Sequence, residues 1–406
     1  MKSLVRLALF LSLFDLASAD SLRDRQEKDS SNEGPLFLKA PQPPIKQFAE
    51  GAPPRLGAVA IRIIPATDPR VLAGLSLLNW IRTADAIHSP VCGASFKLAF
   101  MDTKFVHLNV DTSRFHYPSP SRLPIVAWTV NNGPVQTHQL KAGEDSIGLF
   151  SSVVDRDEKS VKVIDFYIKG LSPFEDRFQG DVPANSLTIT GLILGPDGKI
   201  VDPPRTNPLW LNLGDSILSG DGAALAAKQG RPANDLWAAS DDARASYGYL
   251  LATHYGYRES RLAFGGYAWT GGGGGNPQVA ALIDQLTSTT SRLTDDKLVP
   301  CPDVVLINLG ENGAPKPEPV IAALTKLRLR ASPATKVIVM IPVSGKARAE
   351  VSNAVQTYLE STKDAHTHLV DLGPITFDTC DGQHPTASGH KSIYQASITH
   401  FDKLLK

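Results

Sequence analysis

Cysteine is scarce in this chain: its 406 residues include only Cys92, Cys301 and Cys380. Three thiols cannot build a multi-disulfide framework, and no Cys-x-x-Cys or Cys/His spacing suggests a zinc site. Net charge is lacking as well. Forty-one basic residues balance forty-one acidic ones, which excludes a global field for nucleic acid or an anionic membrane. No Asn-x-Ser/Thr sequon occurs, so N-glycosylation is not implied. No apolar run reaches the length of a bilayer span. The glycines at 271–275 are followed by no Gly-Lys-Ser/Thr and belong to no dinucleotide fingerprint; they read as a flexible loop, not a phosphate cradle.

What is present is ordinary for a globular protein, 42% apolar and 20% charged, and the length suggests about two domains. Lys2 and Arg6 precede an apolar stretch over 7–16 and then Ala17-Ser18-Ala19. This is the pattern of a signal peptide, residues 1–19, cleaved after Ala19, and it predicts a secreted protein. Residues 20–55 are polar and proline-rich and read as a disordered linker. Over 56–205 short β-rich runs alternate with turn residues: 58–64, 96–100, 105–110, 123–130, 160–168 and 186–194. They predict a β-sandwich domain, with Asp102-Thr103 turning between the second and third runs and 71–87 loosely helical. From 206 to 406 the rhythm is strand then helix. Strands are expected at 209–213, 261–264, 303–309, 336–341 and 368–372. Helices are expected at 243–255, 277–292, 320–329, 346–363 and 387–405. The fold class is α/β, with a parallel sheet covered by helices on both faces.

Chemistry gathers where those strands end. The run 209–213 stops on Gly214-Asp215-Ser216, the run 303–309 enters Gly310-Glu311-Asn312, and 368–372 leads to Asp381 and His384-Pro385. Parallel strands end on one edge, where open α/β sheets bind their ligands. A serine nucleophile needs a base, and His384 suits that task. Asp381 can hold the imidazole in one tautomer. Asn312 offers a donor to a developing oxyanion, beside the Ser216 N–H and one from the 265–268 loop. Trp269 is a candidate pocket wall or a packing residue. His366, His368, Asp371 and Asp378 lie near one another in sequence but straddle a strand, which argues against a metal site. Cys301 precedes one strand and Cys380 follows another, so the two should lie at opposite ends of the sheet, too far apart to bridge.

Four blocks in this order, Gly214-Asp215-Ser216, the glycine loop 265–268, Gly310-x-Asn312 and Asp381-x-x-His384-Pro385, resemble the SGNH (GDSL-type) hydrolases. The resemblance spans about 208–406. It implies a flavodoxin-like fold and a serine esterase or lipase needing no metal or cofactor. Ser216 would be nucleophile, His384 base and Asp381 acid; Ser216, Gly266 and Asn312 would form the oxyanion hole, with Ala268 as alternative to Gly266. The third block departs from the usual Gly-x-Asn-Asp by ending on Gly313. A β-rich, jelly-roll-like domain leading directly into Gly-Asp-Ser resembles family 2 carbohydrate esterases. That implies deacetylation of an acetylated polysaccharide or oligosaccharide, by a triad or by a Ser–His dyad. The alternatives are a GDSL-type lipase or thioesterase, and a carbohydrate-binding protein with a non-catalytic hydrolase domain.

Overall fold

The computed structural model describes residues 60–76, 78–115, 119–152, 159–201, 208–230 and 236–406; the expected signal peptide and linker lie outside them. The first described strands form two antiparallel sheets. One contains β1 (Arg62–Pro65), β2 (Ile81–Arg82), β3 (Ile87–Ser89), β5 (Phe105–Val110), β8 (Ser146–Ser151) and β10 (Leu187–Leu194). The other contains β4 (Ser95–Met101), β6 (Ile125–Val130), β7 (Gln136–Gln139), β9 (Lys162–Gly170) and β11 (Lys199–Val201). Their apolar side chains share one core, and the Trp128 indole on β6 donates to the Leu149 carbonyl of β8 at 2.8 Å.

Two expectations change here. Asp102, at φ 56°, does turn the chain between β4 and β5, but those strands belong to different sheets and form no hairpin. The helix expected at 71–87 shrinks to α1 (Pro69–Gly74). A side chain at Gly74 would meet Leu98 Cδ2 at 2.4 Å, so helix and β4 touch backbone to side chain. Beyond it Leu78 adopts φ 72° and the chain turns away to deliver Asn79 to the following sheet.

That sheet is parallel, in the order β13-β12-β18-β19-β20. Its strands are β12 (Leu209–Gly214), β13 (Arg258–Ala263), β18 (Val304–Asn308), β19 (Lys336–Met340) and β20 (Thr367–Val370). All residues of β12 and β18 are buried, as expected for strands covered on both faces. The helices are α2 (Ser216–Ser219), α3 (Trp237–Ser240), α4 (Tyr247–His254), α5 (Val279–Asp284), α6 (Pro317–Arg330), α7 (Arg348–Thr362) and α8 (Ala387–Leu405). Small hairpins join β14 (Tyr267–Ala268) to β15 (Gly271–Gly272) and β16 (Leu293–Thr294) to β17 (Lys297–Leu298). The helix expected at 277–292 is only α5. Its last residue, Asp284, serves instead as an anchor, paired with Lys326 at 2.9 Å and Arg330 at 3.0 Å on α6. No helix among the described residues is long and apolar enough to cross a membrane.

The open edge of β13 is closed by one side chain. Asn79 Oδ1 accepts from the Ser260 hydroxyl at 2.8 Å and the Arg261 N–H at 3.3 Å, while its Nδ2 donates to the Arg261 carbonyl. The carboxamide thus imitates a neighbouring strand, satisfying an edge that would otherwise be unpaired. It also ties the antiparallel sheets to the parallel one.

Candidate active site

The turn after β12 is built around glycine and an N-cap. A side chain at Gly214 would meet Leu218 Cδ1 at 2.4 Å and the Asn308 carbonyl at 3.0 Å, so only glycine lets α2 fold back onto its strand. Asp215 caps α2, its Oδ1 accepting from the Ile217 N–H at 3.0 Å. Gly220 ends the helix at φ 88°. Ser216 is therefore the first residue of a four-residue helix at the carboxyl end of a central strand.

The Asp381 and His384 loop approaches from beyond β20. Asp381 Oδ1 accepts from the Gln383 N–H at 3.0 Å and the His384 N–H at 2.8 Å, which fixes the carboxylate. Its Oδ2 lies 2.8 Å from His384 Nδ1, and His384 Nε2 lies 3.0 Å from Ser216 Oγ. A carboxylate can only accept, so Nδ1 carries the proton and Nε2 presents its lone pair to the serine hydroxyl. All three side chains are withdrawn from solvent, with Ser216 3% and His384 4% exposed. The loop is stitched in place from both sides. Lys228 N–H donates to Thr379 O, Gly230 N–H to Cys380 O and Ala387 N–H to Ala223 O. Thr386 caps α8 through the Gly389 N–H.

The other blocks are connected to the same edge. The Phe264 N–H donates to the Gly214 carbonyl at 3.2 Å, and Tyr267 N–H to Phe264 O closes a turn with Gly266 at φ 73°. That is the turn position at which glycine is favoured. Gly266 is exposed, whereas Ala268 is buried in the β14–β15 hairpin. Asn312 is exposed, and one N–H of its amide donates to the Tyr267 carbonyl at 3.0 Å. A carboxamide has two such donors, so a second remains. Of the two roles open to Trp269, it takes packing here: it is 1% exposed, its indole N–H donates to Leu309 O at 3.1 Å, and it lies in the core. Cys92 and Cys380 are buried and Cys301 is exposed, and none of the three is in a disulfide.

Several groups went unread in the sequence. Trp237 on α3 stands edge-on to the His384 ring, centroids 6.0 Å apart, and Phe174 stands edge-on to Trp237 at 6.1 Å. Arg261 is fully buried behind α2, binding Glu259 Oε1 at 2.7 Å, Ser219 O at 3.0 Å and Ser246 Oγ at 3.0 Å. Asp215, Asp221, Asp241 and Glu311 are buried acids around the turn. Burial, with the nearby Glu311 charge, pushes the Asp215 carboxyl up to about 8. Burial also raises Asp221, against the pull of His384 and Arg177. The only sequence signal for Asp221 was its position five residues after the serine, which turn chemistry explains equally well.

The fold has solved counterparts. The chain is similar to a family two carbohydrate esterase from Cellvibrio japonicus, at 15% identity and TM-score 0.66, covering 85% of this chain and 98% of that one. An acetyl xylan esterase from Butyrivibrio proteoclasticus matches at 15% identity and TM-score 0.65, covering 86% and 98%. A salicylyl-acyltransferase from a tetracycline biosynthetic pathway matches at 16% identity and TM-score 0.55, covering 85% and 97%. No protein-family model and no curated protein sequence matches the chain.

Proposed function

Starting from a fold shared with family 2 carbohydrate esterases, we propose that this chain is a serine esterase that removes short acyl groups, acetyl above all, from carbohydrate. The reading rests on one observation, the unbroken line of hydrogen bonds from Asp381 through His384 to Ser216. In this reading Ser216 Oγ attacks the ester carbonyl while His384 Nε2 takes its proton. The Ser216 and Gly266 N–H groups and the free amide proton of Asn312 receive the oxyanion. Collapse expels the sugar hydroxyl, protonated by His384, and leaves an acyl-serine. His384 then activates water, which releases the carboxylic acid and restores the serine. Asp381 keeps the imidazole oriented and stabilises its cation.

Sugar is favoured over a long acyl chain by the rim. Phe174, half exposed, and Trp237 place aromatic surface beside His384. Arg122 and Glu175, paired at 3.1 Å, flank that surface with polar groups, and Arg122 also lies over the Phe174 ring. Aromatic faces edged by hydrogen-bonding groups suit a ring with one apolar face and many hydroxyls. We read 56–205 as a jelly-roll-like sandwich module that supplies Phe174, and 206–406 as the hydrolase module. The test is acetate release from acetylated xylan, glucomannan and pectin, with p-nitrophenyl acetate and decanoate in parallel. Preference for decanoate, with no acetate released from any polysaccharide, would refute the carbohydrate reading in favour of a lipase.

A further inference from the structure

A cavity of about 290 Å³ opens at the end of the parallel sheet opposite Ser216. Its walls come from α1, β4 and β9 on one side and from α4 and β13 on the other. Arg258, in its wall, is the first residue of β13 and pairs with Leu209 at the start of β12; Ser216 follows the far end of that strand. Five residues of strand separate the two positions by roughly 17 Å. The cavity is thus distinct from the site at Ser216.

Its charges do not cancel. Of the carboxylates in its wall, Asp165 is held by Arg244, and Glu259 is taken by Arg261 at 2.7 Å and Asn212 at 2.8 Å. Arg258 has no ion-pair partner among the described residues. Its backbone N–H is taken by Pro208 O at 2.8 Å, but among the described residues its guanidinium makes one hydrogen bond, a long one, Nη2 to Leu75 O at 3.4 Å. Burial lowers its guanidinium from the ordinary value, with no neighbouring carboxylate acting against that shift. Lys97, opposite Asp165 across the β4–β9 pair, is exposed on the wall and adds a second cation with no ion pair among the described residues. Around them stand Tyr249, Tyr257, Ser76 and Thr253, aromatic surface and hydroxyls together. A half-buried guanidinium without a counter-ion is costly unless a ligand supplies one.

We propose that this cavity binds a monosaccharide-sized ring carrying one carboxylate, a hexuronate, with Arg258 on the carboxylate and the tyrosines on the ring. The volume is near the lower end for small-ligand pockets, which matches a single sugar ring. Such a site would anchor an acidic side group of a polymer, or a free uronate, away from the scissile ester.

The test is calorimetric titration of the full chain carrying Ser216→Ala with glucuronate, glucose, acetate and inorganic phosphate. Glucuronate should bind saturably and at least about tenfold more tightly than the other three, because glucose lacks the charge-assisted bond to Arg258 and acetate and phosphate lack the ring that the tyrosines would contact. Arg258→Gln should weaken it by about tenfold or more. Lys97→Ala, a surface change that spares the fold, should weaken it by a smaller factor, and melting curves verify both variants. Absence of saturable glucuronate binding, or binding indifferent to both substitutions, overturns the proposal. Equal affinity for phosphate or acetate overturns the sugar part of it. Ester hydrolysis by the wild-type chain is measured separately, so failure here leaves the esterase reading standing.

Discussion

Replacing Asp381 by asparagine changes one atom yet should reverse the polarity of the whole hydrogen-bonded line. In the native arrangement Oδ1 accepts from two backbone N–H groups, at 3.0 and 2.8 Å, while Oδ2 faces His384 Nδ1 at 2.8 Å. An asparagine must keep its oxygen where two donors converge, because its NH₂ cannot accept. The NH₂ therefore faces Nδ1 and forces that nitrogen to become the acceptor. The imidazole proton moves to Nε2, which then points a hydrogen at Ser216 Oγ, 3.0 Å away, and can no longer remove one. A base locked in the wrong tautomer costs on the order of 10⁴ in kcat, equivalent to about 5.5 kcal/mol of barrier. The assay is steady-state hydrolysis of p-nitrophenyl acetate by Asp381→Asn, with its melting temperature compared to wild type to exclude unfolding. Activity within about tenfold of wild type would refute the reasoning and favour a Ser–His dyad.

Three further outcomes follow from the same geometry. Asn312→Ala should lower turnover about 10²–10³-fold with little change in stability, since the residue is exposed and donates to one carbonyl. Arg261→Leu should destabilise the fold by about 3–5 kcal/mol in denaturant titration, because it leaves the buried Glu259 carboxylate without its cation. Asp215, pushed up to about 8 from an ordinary 3.8, keeps in the folded state a proton that the unfolded chain releases. Its stabilising contribution is complete below about pH 4 and is lost as pH rises through about 8. Asp215→Asn retains a good N-cap residue, so between about pH 5 and about pH 9 wild type should lose more melting temperature than the variant. Parallel curves would contradict the burial argument.

The carboxyl-terminal half was readable because its physics is local. Strand β12 is apolar but for Asn212, β18 is apolar up to Asn308, and α8 begins at a threonine cap after His-Pro, so their extents differ little from the periodicity. Each block could be placed at a strand end because parallel strands share one edge. Contacts at long sequence separation were hidden. Nothing in the Asp102-Thr103 turn announces that β4 and β5 enter different sheets. Strands β7 and β8 escaped notice as edge strands; Gln136–Gln139 is polar throughout, and one face of Ser146–Ser151 is open to solvent. The helical pattern over 71–87 was overridden because Asn79 is required at the edge of β13. Trp269 and Trp237 look alike in sequence, yet one fills the core and the other meets His384. Only packing separates them.

The central claim is that Ser216, activated by His384, is the nucleophile. Incubation with a fluorophosphonate ester, followed by peptide mass mapping, tests it without any assumption about the natural substrate. The account predicts one adduct per chain, on Ser216, formed in step with loss of esterase activity and strongly slowed in His384→Ala. An active protein that stays unlabelled at Ser216, or Ser216→Ala with undiminished ester hydrolysis, would contradict it.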